Sequence, residues 1–234
     1  MIKVTINGAS GKMGTIVSNL IKNDNFLVES SDDISFSDLV IDFSHPSSTK
    51  KILKKCAAAK KPIIIGTTGF SNDDLKEIQD ASNSIPIVLA ANMSKGIIFL
   101  KKSIASFIQN NQDKLKCFIE ETHHLDKVDK PSGTAIELKE FITKHDDSNF
   151  IQEINIKSNR VGNIFGTHKI LFCSDNGTVC FSHEGLSRNI FAEGAIICAK
   201  SIDFHKPNLY SFEDVINWNK SFKISIFFIE YPNF

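Results

Sequence analysis

The chain has 234 residues, with 27 basic and 27 acidic side chains and a formal net charge of zero. That length suits one large domain or two small ones, and 41% hydrophobic residues supply a core. The balanced charge lacks the basic stripe that nucleic-acid binding requires, and no apolar run approaches the ~20 residues that span a bilayer.

Met1-Ile2-Lys3-Val4 runs straight into a strand without a signal-peptide pattern, so the cytoplasm is the expected location. Residues 3–7 form that strand. Gly8-Ala9-Ser10-Gly11-Lys12-Met13-Gly14 follows, and then Ile16, Val17, Leu20 and Ile21 recur at helical spacing. Gly8 allows a tight turn, Gly11 clears the approach of a pyrophosphate, and Gly14 lets the helix lie on the sheet. This is a G-x-x-G-x-x-G variant of the dinucleotide fingerprint; a plain tight turn is the alternative. Residues 26–28 predict a second strand ending at Glu29, where a carboxylate can hold ribose hydroxyls. No arginine follows in Ser30-Ser31-Asp32-Asp33. A 2′-phosphate would meet negative charge there, with Lys12 the nearest relief, so NADH is favoured over NADPH.

Residues 39–43 predict a third strand, followed by a helix capped by Ser47 or Ser48. Residues 62–65 are continuously apolar, as a strand covered on both faces should be. They end in Gly66-Thr67-Thr68-Gly69, and Ser71 caps the next helix. Residues 85–89 predict a fifth strand, ending in Ala90-Ala91-Asn92-Met93-Ser94. The repeat of strand and helix gives right-handed βαβ units and an α/β, Rossmann-like first domain.

A helix over 95–108 leads away from it, and the pattern changes. Strands are expected over 115–119, 151–157, 169–173 and 178–183, with a helix near 134–142. Asp175-Asn176-Gly177 marks a hairpin. The result is an α+β central domain whose mostly antiparallel sheet has one face free, suited to a twin subunit. The five scattered cysteines, 56, 117, 173, 180 and 198, lie mostly in apolar runs, and buried free thiols are expected. The apolar tail at 222–234 predicts an edge strand or packing on a neighbour.

The stretch with most chemistry is Glu120-Glu121-Thr122-His123-His124-Leu125-Asp126-Lys127-Val128-Asp129-Lys130-Pro131-Ser132-Gly133-Thr134. A helix opening at Ser-Gly-Thr offers free N–H groups and hydroxyls to an anion. Lys127 adds positive charge, and His123 or His124 can exchange a proton near neutral pH. Arg188 can clamp a carboxylate or serve as a surface ion-pair partner. No metal is expected, because adjacent histidines in a strand point to opposite faces and no cysteine pair has metal spacing.

The stretch from Glu121 to Ala135 resembles the E-x-H-H-x-x-K-x-D-x-P-S-G-T-A signature of the 4-hydroxy-tetrahydrodipicolinate reductase family. Gly8 to Gly14, Ile41 to Ser44, Gly66 to Gly69, Ala90 to Ser94, and Ser187-Arg188 followed by Phe191 to Gly194 support the likeness, which covers residues 2–217 in order. The resemblance implies a homotetramer acting on a small dicarboxylate. It implies a nicotinamide-binding domain of residues 1–93 with 189–234, and a substrate and oligomerisation domain of residues 94–188. It casts His123 as proton donor or acceptor and Lys127 as proton donor. It assigns substrate contacts to His124, Ser132, Gly133, Thr134 and Arg188. Cofactor contacts fall on Gly8, Ala9, Ser10, Gly11, Lys12 and Met13, on Gly66, Thr67 and Thr68, and on Ala90, Ala91, Asn92 and Met93. The loop after the second strand is shorter than the family's, and His45 stands where an arginine is common; both point to NADH. A non-catalytic nucleotide-binding protein is the rival, and the proton-transfer residues speak against it.

Overall fold

A computed structural model describes residues 1–30, 33–201 and 206–221. Six parallel strands form the first sheet: β1 (Ile2–Asn7), β2 (Leu27–Glu29), β3 (Leu39–Asp42), β4 (Ile63–Ile65), β5 (Pro86–Leu89) and β10 (Asn208–Tyr210), in the order β10-β5-β4-β3-β1-β2. Helices α1 (Lys12–Lys22), α6 (Asn189–Ser201) and α7 (Phe212–Ser221) cover one face; α2 (Pro46–Ala59) and α3 (Asn72–Ser82) cover the other. Strand alternation sends Ile64 into the first layer with Val17, Ile21 and Ala195. It sends Ile63 and Ile65 into the second with Leu53, Cys56 and Ile78. That double cover is why β4 reads as an unbroken apolar run. The strand order reverses between β1 and β3, so the crevice beyond their C-terminal ends is where such sheets hold ligands.

The second sheet has four strands in the order β7-β6-β8-β9: β6 (Leu115–His123), β7 (Ile151–Arg160), β8 (Thr167–Ser174) and β9 (Gly177–Glu184). It is mixed, because β6 pairs with β7 in parallel and with β8 antiparallel, while β8 and β9 form the expected hairpin. Helices α4 (Lys95–Asn110) and α5 (Gly133–His145) cover one face. Phe107 of α4 packs on Phe172 and Phe181 with ring centroids 5.0 and 5.6 Å apart. The other face carries exposed Phe118 and Cys180, which share it through Leu171.

Several expectations need correction. Helix α2 is capped by His45, whose ring accepts from the Ser47 N–H, and not by Ser47 or Ser48. Pro46 explains the earlier start: it lacks an N–H and has the helical φ preset. Strand β6 runs on from residue 119 to His123, paired on both sides. Strand β10 and helix α7 had no counterpart in the sequence expectations. Cys56, Cys117 and Cys198 are buried, whereas Cys173 is half-buried and Cys180 exposed. The tail at 222–234, like Ser31 and Asp32, lies outside the described residues.

Candidate active site

The glycine loop is built as a cradle. Gly8 has φ +88, and a Cβ there would stand 2.4 Å from the Phe43 carbonyl oxygen. A Cβ on Gly14 would stand 2.1 Å from the Gly8 oxygen, so only glycine lets α1 start this close to the turn. Gly11 caps α1 without a side-chain hydrogen bond, which leaves the opening N–H groups facing outward. This fits a dinucleotide pyrophosphate. Beside it, Asp42 is fully buried at the end of β3. It accepts hydrogen bonds from Asn7 Nδ2 (2.6 Å), Thr49 Oγ1 (2.6 Å) and Thr67 Oγ1 (2.9 Å). The network ties the ends of β1, β3 and β4 together, and it commits the Thr67 hydroxyl to structure. At the end of β2, Glu29 is exposed and accepts from Ser18.

Across the crevice, alternation along β6 puts Glu121 and His123 on the inward face with Leu115, Cys117 and Ile119. Glu121 is fully buried. Its carboxylate meets His123 Nδ1, Arg160 Nη1 at 2.9 Å and the Ser132 N–H at 3.3 Å. Burial alone would raise this carboxyl, but hydrogen bonds from His123, Ser158 and Arg160 outweigh it and hold it down to about 2. His168, facing Glu121 across the β6–β8 ladder, is pulled down to about 3, chiefly by burial and next by the adjacent His123. A Cβ on Gly166, where φ is +153, would stand 3.0 Å from His123 Nε2. The glycine therefore leaves room at the imidazole's second nitrogen.

The loop between β6 and α5 carries His124 and Lys127. Burial, and next the charge of Arg188, lower the pKa of His124, and its Nδ1 has no hydrogen-bond partner among the described residues. Lys127 Nζ pairs with Asp129 at 2.7 Å. Ser132 caps α5 by accepting from the Ala135 N–H, and its hydroxyl lies 3.5 Å from His168 Nε2. The mouth of α5 abuts the β5 loop: a Cβ on Gly133 would stand 2.9 Å from Ala91 Cβ, and Asn92 Nδ2 donates to Thr134 Oγ1 at 3.2 Å. Lys12 of the glycine loop reaches Asp126 at 3.3 Å.

A cavity of about 190 Å³ opens between the two halves. His123, His124, Lys127, Thr134 and Arg188 line one side; Met13, Gly66, Thr68 and Ala90 to Met93 line the other. Phe43, Phe165 and Phe191 form apolar walls, and Arg188 stacks over Phe165 at 5.0 Å. Thr67 and Gly133 line a larger adjoining cleft of about 420 Å³. Gly8 to Lys12, Glu29 and Ser132 border neither cavity. Glu121 and Asp129 entered the sequence analysis only as letters of the signature, with no role given, and Arg160 and His168 did not enter it. The E-x-H spacing on one strand face was the available sign for Glu121, whereas Arg160 and His168 are brought in by register alone. Glu121, His123 and His168 place three ligand-type atoms within 4.8 Å of one another. Their arrangement suits an ion-paired cluster better than a metal, because Arg160 already sits on the carboxylate.

Comparison with known proteins agrees along the chain. Family models described as dihydrodipicolinate reductase, N-terminus and C-terminus, match residues 26–93 and 96–216. The 4-hydroxy-tetrahydrodipicolinate reductase of Alkaliphilus oremlandii is 36% identical, covering 91% of this chain and 97% of its own. That of Bdellovibrio bacteriovorus is 34% identical, covering 92% and 96%. Among solved structures, a dipicolinate-bound dihydrodipicolinate reductase from Paenisporosarcina sp. TG-14 shares the fold, with TM-score 0.67 at 20% identity over 90% of this chain and 97% of that one. With both halves matched by family models and relatives above 30% identity along nearly the whole length, the chain belongs to the dihydrodipicolinate reductase family.

Proposed function

We propose that this protein reduces (2S,4S)-4-hydroxy-2,3,4,5-tetrahydrodipicolinate to 2,3,4,5-tetrahydrodipicolinate, with release of water, in lysine and diaminopimelate biosynthesis. The observation that carries the residue assignment is the shared cavity, with proton-bearing and cationic side chains on one wall and the nucleotide-side loops on the other. A bound nicotinamide supplies the hydride. The glycine loop would hold the pyrophosphate at the α1 N-terminus, and Gly66, Thr68 and Ala90 to Met93, which line the cavity, would hold the nicotinamide. The α5 mouth at Ser132 to Thr134, with His124 and Arg188, binds the substrate carboxylates. Lys127 and His123 deliver the proton and stabilise charge as the acceptor is reduced. Phe43, Phe165 and Phe191 exclude water. The Paenisporosarcina reductase, described as dipicolinate-bound, supports a dicarboxylate ligand.

NADH is the preferred donor on this reading. Glu29 puts a carboxylate at the ribose end of β2, and no arginine follows it in residues 30–38. Residues 1–93 with 189–234 act as the dinucleotide domain and residues 94–188 as the substrate domain, in a cytoplasmic homotetramer built on the open sheet face. A monomeric sedimentation mass would overturn the tetramer.

The test is absorbance at 340 nm, with substrate made in situ from aspartate semialdehyde and pyruvate by the upstream synthase. Wild type oxidises NADH with the higher kcat/KM of the two donors; a clear NADPH advantage would contradict the preference. Lys127→Ala and His123→Ala each lose about 100-fold or more in kcat while NADH affinity holds. Equal loss of NADH binding in both variants would overturn the assignment.

A further inference from the structure

Arg160 joins parts of the site that the chain separates widely. Its position in β7 is directly opposite His123 in the parallel ladder. Besides a local bond from Nη1 to the Asn159 carbonyl at 2.7 Å, the guanidinium makes three connections across the site. Nη1 donates to Glu121 Oε1 at 2.9 Å, Nε donates to the Lys127 carbonyl at 3.2 Å, and Nη2 donates to the Asp129 carbonyl. The other Glu121 oxygen meets His123 Nδ1, and the Ser132 N–H also donates to this carboxylate. One buried ion pair thus touches the imidazole, the lysine loop and the helix mouth.

We propose that Arg160 and Glu121 are positioning residues that hold His123 and Lys127 in one frame for the reaction. The inference rests on the acid–base reading of His123 and Lys127 given above. A carboxylate can only accept, so Nδ1 carries the proton toward Glu121 and Nε2 is left for the site, where Gly166 keeps space open. The Lys127 loop lies outside the regular elements, and its carbonyl bonds to Arg160 tie it to β7. A lysine could not replace the arginine, because a single ammonium cannot serve three acceptors spread around a planar fork. Burial sharpens the device: Glu121 is fully enclosed, so losing either charge leaves the other uncompensated.

The experiment compares full-length Glu121→Gln and Arg160→Lys with wild type and with His123→Gln as reference. It reads kcat and KM at 340 nm, NADH affinity by fluorescence titration, and the His123 tautomer by ¹⁵N NMR. Positioning predicts that Glu121→Gln lowers kcat by about 100-fold or more, since an analogous carboxylate-to-amide change behind a catalytic histidine costs ~10⁴. It also predicts loss of the single Nδ1–H tautomer and unchanged NADH affinity. Arg160→Lys lowers kcat while NADH affinity holds. Wild-type kcat in both variants, with His123→Gln slow, would overturn the positioning role and leave the acid–base reading standing. Wild-type kcat in His123→Gln would overturn the acid–base reading, and the inference with it. A parallel fall of kcat and NADH affinity would reduce the pair to a structural support and overturn the inference.

Discussion

Gly166 shows how much of the site depends on a missing side chain. It is buried, holds φ +153, and stands so that a Cβ would come within 3.0 Å of His123 Nε2. Gly166→Ala therefore meets two penalties, a disfavoured backbone and a blocked nitrogen. We expect a stability loss of about 1–3 kcal/mol in denaturant titration. We also expect a clear fall in kcat with NADH affinity retained; a variant with wild-type kcat would show that Nε2 does not need the space. Legibility at this scale was uneven. His123, Lys127, Thr134 and Arg188 were readable because their chemistry is intrinsic to the residue type, and they do line one cavity. Thr67 was assigned a cofactor contact through the resemblance; it lines the larger cleft, while its hydroxyl serves Asp42. Nothing local distinguishes a hydroxyl aimed at a ligand from one aimed at a buried carboxylate.

Between elements, register decides what meets what. The apolar run of β6 stops at Ile119, where the expected strand ended, and Glu-Glu-Thr-His follows. Pairing with β7 and β8 keeps it extended to His123, because backbone groups bonded on both sides outweigh polar side-chain composition. Arg160 and His168 enter the site only through those ladders, so a linear reading could not find them. Strand β10 is a three-residue edge strand whose place is set by parallel pairing with β5, and its sequence carries little pattern of its own. Capping was legible where a hydroxyl heads a helix: Ser71 and Asp74 form a full capping box on α3, and Ser132 caps α5. The helix mouth that Ser132 caps is the proposed carboxylate site, so Ser132→Ala should have two effects. The lost cap costs about 1 kcal/mol in thermal or denaturant unfolding. The substrate KM rises while the NADH KM stays constant; an unchanged substrate KM would confine Ser132 to capping.

The molecule as a whole works as two sheets facing across one cleft. The first has the doubly wound order that opens a crevice at the β1–β3 reversal, and the glycine cradle lies at its mouth. The second carries its polar cluster at the inner end of β6. Lys12 to Asp126 and Asn92 to Thr134 bridge the gap. The Lys12 pair is exposed and weak, on the order of 0–1 kcal/mol, so these bridges do not hold the halves rigidly. Arg188, Lys127 and Lys12 place positive charge around His124, where a dicarboxylate would lie. The α/β class, the parallel first sheet and the location of the cleft were readable from the alternation of elements. The mixed pairing of the second sheet was not, since parallel β6–β7 contact leaves no mark on either strand's own pattern. The most direct test of the whole account is a crystal structure of the protein with NAD⁺ and dipicolinate bound together. We predict the nicotinamide C4 and the dipicolinate ring about 3–3.5 Å apart, with the carboxylates on the α5 mouth and Arg188 and with His123 and Lys127 at the ring. Dipicolinate bound elsewhere, or a nicotinamide pointing away from His123 and Lys127, would contradict it.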